Sequence, residues 1–178
     1  MKLRTFFLIL VVPCVCFMMT IGCASSTPKA NITQMIAPES KIKSKDDTSV
    51  KVEAKTGVTL LESEKLRLAE VIGIKINDLK LSNNGQGEKK SYEIELLLTR
   101  YDKGNAFARS MLAGLGQIHI DGEIKIIELP DKKQVGAFSI SKTFAWGGIY
   151  GASTSMEDIE QTFANAVAAE VTGQKPKE

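Results

Sequence analysis

Residues 117–146, QIHIDGEIKIIELPDKKQVGAFSISKTFAW, decide the fold. Ile118, Ile120, Ile124 and Ile126 alternate with Gln117, His119, Asp121, Glu123 and Lys125, the two-residue period of a strand with one wet face. Pro130-Asp131-Lys132-Lys133 is a tight polar turn, so the strand after it pairs antiparallel with the strand before it. That second strand runs from Gln134 to about Trp146, with Phe138, Ile140, Phe144 and Trp146 on one face. Upstream, Tyr92, Ile94, Leu96 and Leu98 alternate with Glu93, Glu95 and Thr99 and predict a third strand. A possible first strand lies at Val50–Val58, where Val50, Val52 and Ala54 alternate with charge.

Helical periodicity brackets these strands. Leu68, Ile72, Ile76 and Leu79 share one face of a helix predicted over Glu62–Leu79, with Thr59 or Ser63 as its cap. Ile72, Ile74 and Ile76 also alternate, so its far end has a competing strand reading. Ser155-Met156-Glu157-Asp158 has capping-box form, and Ile159, Phe163, Val167 and Val171 make an apolar stripe that Gly173 and Pro176 end. The expected fold is α+β: an antiparallel sheet of three to four strands with two helices packed on one face. Residues 50–178 form that domain.

The N-terminus carries an address. Lys2 and Arg4 form a basic tip, and Phe6–Met19 is almost wholly apolar, broken by Pro13. This run is shorter than the ~20 residues of a membrane-spanning helix and has the shape of a secretory signal. It leads to Met19-Thr20-Ile21-Gly22-Cys23, the form of a bacterial lipoprotein signal occupying residues 1–22 and cut between Gly22 and Cys23. Cys23 would then carry a thioether-linked lipid and hold the protein on a membrane without spanning it. Ala24, in place of an aspartate, favours the outer membrane facing the periplasm in a two-membrane cell. Residues 23–49, rich in Ser, Thr, Lys, Asp and Asn, are expected to be a flexible tether.

Charge and cysteine usage narrow the function. The chain of 178 residues has 23 Lys+Arg against 21 Asp+Glu. The signal holds Lys2 and Arg4 and no acid, so the mature protein is formally neutral and offers no electrostatic case for nucleic acid. Cys14 and Cys16 fall inside the signal, so the domain has neither a disulfide nor thiol chemistry. The single histidine, His119, lies with Asp121 and Glu123 on one strand face, where ~6–7 Å steps splay ligands around any ion. No metal or cofactor is expected, nor a nucleophile–base set.

Two glycine-bearing segments stand out. Gly104–Gly116 joins two strands and is unusually apolar; 145–154 leads into the last helix and could offer N–H groups to an anion. Phe107, Met111, Leu112 and Leu115 could pack locally or offer a docking surface, and Phe107, Arg109, Met111, Leu112, Trp146 and Tyr150 are the candidate partner surface.

Thr99-Arg100-Tyr101-Asp102-Lys103-Gly104-Asn105-Ala106, Gly114-Leu115-Gly116, Lys142-Thr143-Phe144-Ala145-Trp146-Gly147-Gly148 and the closing helix resemble a family of bacterial lipoproteins known only as a domain of unknown function. The resemblance covers about Thr59 to Thr172. It implies a cell-envelope lipoprotein with a small α/β domain and supplies no catalytic residues. The shape is also similar, at the level of fold alone, to auxiliary lipoproteins of envelope ABC transporters. The reading that follows is a non-enzymatic accessory or scaffolding module that binds another envelope protein. The alternative is a lipid or small-molecule carrier, which needs an apolar pocket between sheet and helices.

Overall fold

The computed structural model describes residues 26–83, 87–112 and 114–175. The signal peptide, Gly22 and Cys23 lie outside the described residues. Five strands, β1 (Lys29–Gln34), β2 (Asp47–Ala54), β3 (Ser91–Asp102), β4 (Ile118–Leu129) and β5 (Lys133–Phe144), form one sheet in the order β1-β5-β4-β3-β2. The β4–β5 hairpin pairs antiparallel across the Pro130 turn, as the sequence predicts, and β3 pairs antiparallel with β4.

The remaining pairings correct the expectation of an all-antiparallel sheet of three to four strands. β2 runs parallel to β3. Helix α1 (Glu62–Lys80) carries the chain back between them, the long crossover that parallel neighbours need. β1 adds a fifth strand antiparallel to β5. The expected flexible tether is therefore ordered structure from Lys29 onward. All six residues of β1 are exposed, so no apolar alternation betrays it. Ile42 is fully buried, and Ile36 packs so closely on Gly136 that a Cβ there would lie 2.4 Å from Ile36 Cγ1. The Asp46 carboxylate accepts from the N–H groups of Lys43 and Lys90 at 2.8 and 3.1 Å.

α1 and α4 (Met156–Thr172) lie side by side on one face of the sheet. Leu68, Ile72 and Ile76 from α1, with Phe163, Val167 and Val171 from α4, are completely buried. They close over Ile94, Leu96 and Leu98 of β3 and Ile120 and Ile124 of β4. Half-exposed Ile74 resolves the ambiguity at the end of α1: the period there is helical. Gly122 takes an inward position on β4 where a Cβ would stand 2.5 Å from Leu96 Cδ1. The Ser155–Asp158 capping box forms as the sequence predicts. α1 is capped differently from expectation: Leu61 is its N-cap, and the Glu64 carboxylate accepts from the Leu61 N–H at 3.0 Å.

Two short helices complete the fold, α2 (Ala106–Met111) and α3 (Gly148–Ser153), so the described residues hold four α-helices where two were expected. Both lie in the glycine-bearing segments read from sequence as loops.

Gly73 sits inside α1 beside open space, with nothing within 4 Å of the position a Cβ would take. Gly73→Ala should raise stability by about 0.5–1 kcal/mol in urea unfolding, because alanine loses less backbone entropy in a helix.

Candidate functional site

The ends of β3 and β5 and the starts of β4 and α4 meet at one end of the sheet, where α2 and α3 pack together as a cap. Each turn of the cap is fixed by local chemistry. Asp102 Oδ1 accepts from the Gly104 N–H at 2.9 Å, and Gly104 has φ +62°, a left-handed conformation natural to glycine. Asn105 then caps α2, its Oδ1 accepting from the Ala108 N–H at 2.9 Å. The chain returns through Gly116, also at φ +62°, whose carbonyl accepts from the Asn105 N–H at 3.1 Å. A Cβ on Gly104 or Gly116 would fall 2.3 Å from backbone oxygens, and one on Gly151 would fall 2.1 Å from the Trp146 carbonyl oxygen.

Arg109 holds the two helices together. Its guanidinium donates from Nε to the Gly151 carbonyl at 2.8 Å, from one terminal nitrogen to Gly116 at 2.7 Å and Lys103 at 3.5 Å, and from the other to Thr154 at 2.9 Å. The sequence pattern puts Arg109 on the partner surface, but the structure buries it to 3% exposure. Removal from water pushes its pKa below the ordinary guanidinium value.

The other five candidate residues are exposed, so Phe107, Met111 and Leu112 do not pack away locally. Phe107, Met111 and Leu112 of the α2 segment, joined by Leu115, project from one half of the cap, and Trp146, Ile149 and Tyr150 from the other. Trp146 meets Tyr150 edge to face at 5.4 Å between ring centroids, and Tyr150 leans on Phe144 at 6.0 Å.

The start of the described chain reaches the same end. The Ser26 N–H donates to the Thr143 carbonyl at 3.2 Å, and the Thr143 N–H donates to Ser26 Oγ at 3.0 Å. Lys142 Nζ donates to the Ser26 carbonyl. Lys142 occupies the inward-facing series of β5, between Ile140 and Phe144, and is buried, which lowers its pKa. Sequence reasoning did not single out this site.

Beneath the cap, a polar network joins α1, β3 and α4. Arg67 donates to both carboxylate oxygens of Glu160 at 2.8 and 2.9 Å, and Tyr101 Oη donates to Glu160 at 2.5 Å. Burial, then the Glu160 hydrogen bond, raises the Tyr101 pKa; hydrogen bonding to Glu160 raises that of Arg67. Lys103 pairs with Glu64 at 2.6 Å. Burial pushes the Glu64 carboxyl up, but hydrogen bonds from Lys103 and the Leu61 N–H outweigh it and hold the group below the usual carboxylate value. The two carboxylates are buried, while their partners Arg67 and Lys103 reach solvent.

His119 Nδ1 lies 3.0 Å from Thr143 Oγ1, and burial followed by the Arg100 charge lowers its pKa. Among the described residues no three His, Cys, Asp or Glu side chains converge on a metal-sized site. The suggested anion site at the start of α4 is filled from within: the Asp158 carboxylate accepts from the Ser155 N–H at 2.8 Å.

A mixed five-stranded sheet with two helices on one face and a glycine-locked apolar cap at one end defines the structural class. Residues 36–148 match the family described as domain of unknown function DUF4410, and the chain belongs to that family. The match takes in the strands of the sheet from β2 to β5 and the α2 half of the cap. No curated protein matches the sequence. Among solved structures, the fold is similar to the PelC dodecamer from Paraburkholderia phytofirmans, with TM-score 0.56 and 8% identity over 84% of this chain and 99% of that chain. A single-residue variant of that dodecamer aligns with TM-score 0.54 at the same identity and coverage. A candidate lipoprotein from Caulobacter crescentus aligns at TM-score 0.36 and 16% identity over 72% of this chain and 93% of that one.

Arg109→Met should cost about 2–3 kcal/mol, the scale of lost hydrogen bonds from a charged donor, and erase the near-ultraviolet dichroism of Trp146 as the two halves of the cap separate. Arg109→Lys should not restore it, because an ammonium cannot span the same carbonyls.

Proposed function

We propose that this protein is a lipid-anchored accessory or scaffolding subunit of the bacterial cell envelope, attached through Cys23 and acting without catalysis beside another envelope protein. The observation that carries this reading is the attachment of Ser26 to the cap end of the sheet. Ala24 and Ser25 alone separate it from Cys23, at most about 10 Å of extended chain. A lipid on Cys23 therefore holds the domain against the membrane instead of letting it range on a long leash. The basic tip and short apolar run before Cys23 support export, and Ala24 supports the outer membrane, facing the periplasm. Among the described residues no helix is long and apolar enough to cross a membrane.

A subunit role draws support from the fold, since the PelC chain that shares it assembles as a dodecamer. The open face of the sheet, with Lys51, Glu53, Glu95, Glu123 and Lys125 interleaved, gives such a subunit a charged flank for protein contacts. No observation favours the carrier alternative. The layer between helices and sheet is filled by the fully buried side chains of α1, α4, β3 and β4.

Mass spectrometry of the mature protein should find an N-terminus at Cys23 carrying a diacylglyceryl thioether. In-cell cross-linking should recover a stoichiometric envelope protein, or further copies of this chain. The Cys23→Ser variant should lose both. An unmodified N-terminus elsewhere in the chain would contradict the anchor, and recovery of the same partners by Cys23→Ser would contradict a role that depends on it.

A further inference from the structure

We infer that the α2–α3 cap is a membrane-docking surface that seats its apolar tips in the bilayer holding the Cys23 lipid. The inference rests on the anchored reading above and names the occupant of the cap. Two independent features of the molecule meet at this end. One is the chain start: Ser26 is stitched to Thr143, three residues before Trp146, and the Ala145 carbonyl accepts from the Gly114 N–H of the α2 segment at 3.2 Å. With about 10 Å of chain at most between Cys23 and Ser26, the lipid cannot enter a bilayer far from the cap. The other is the composition of the cap. Phe107, Met111, Leu112, Leu115 and Ile149 offer hydrocarbon, while Trp146 and Tyr150 are the residue types that settle at the headgroup level.

The one arginine within the two cap helices, Arg109, is turned inward onto carbonyls and keeps its charge off this surface. The open sheet face is charged and unsuited to acyl chains. A diacylglyceryl anchor already supplies two acyl chains for stable residence; embedding the cap would fix how the domain is oriented on the bilayer.

Trp146 is the sole tryptophan and reports directly on the cap. The test uses mature lipidated protein reconstituted into phosphatidylcholine vesicles, with and without lipids brominated near the top of the acyl chain. The protein should float with the vesicles, its emission should shift to the blue, and brominated lipid should quench it roughly twofold, as for an indole at the interface. Ile149→Asp and Phe107→Asp change side chains that are 92% and 75% exposed, so the fold should survive, as circular dichroism will verify. Each should still float yet lose most of the quenching. Floating protein with unquenched Trp146 would overturn the inference and leave the anchor standing. Trp146 shielded from aqueous iodide but unreached by bromine would overturn it in favour of a second copy or a protein partner. Full quenching in both variants would also overturn it. Protein that does not float would defeat the anchored reading and the inference together.

Discussion

The Arg109 guanidinium donates to the carbonyls of Lys103, Gly116, Gly151 and Thr154, tying both flanks of its own connection to the sequence-distant segment at 151–154. These carbonyls lie in turns and helix ends, where backbone acceptors lack partners from a sheet or helix interior. Burying a charge is costly unless its hydrogen bonds are met, and here they are met by main-chain oxygens instead of a carboxylate. The arrangement is rigid because glycines at 104, 116 and 151 let backbones approach closer than any Cβ allows. The cap can therefore expose large apolar side chains without collapsing onto the core. The core itself depends on the ordinary logic of a one-faced sheet, with α1 and α4 covering its apolar side.

The second constraint is the path of the chain start. β1 contributes nothing to the core, since all six of its residues are exposed, yet it covers the edge of β5 and carries the N-terminal chain to the cap end. Buried Lys142 and the paired Ser26 and Thr143 bonds fix where it arrives. Under the proposed anchor at Cys23, this exposed strand would set the orientation of the domain on the membrane. The PelC fold and the family membership are compatible with this geometry and do not themselves supply it.

Strong periodicity made much of this legible. β3, β4, β5 and the stripes of α1 and α4 alternate or repeat cleanly because each has one buried face. β1 left no such trace, and the Ser- and Lys-rich composition around it reads as solvated chain. The parallel pairing of β2 is a tertiary outcome: nothing local in Asp47–Ala54 distinguishes it from an antiparallel edge. α2 and α3 are six residues each, too short for a helical period to show. The exposed apolar residues of the cap were legible as an anomaly, an apolar connection between strands. Arg109 was misplaced because a charged residue in a loop is ordinarily solvated; only the flanking glycine turns hinted at unsatisfied carbonyls. Lys142 gave a clearer signal, since it shares the inward parity of Phe138, Ile140 and Phe144.

The proposed anchor and the cap would together define one membrane-facing end of the molecule. Amide hydrogen exchange tests this, comparing the lipidated protein on vesicles with its lipid-cleaved form in detergent-free solution. Exchange on vesicles should slow only in peptides covering residues 106–112 and 146–153, with the Pro130 turn and the edge of β2 unchanged. Equal exchange at the cap in both states, or protection concentrated on the open sheet face, would contradict it.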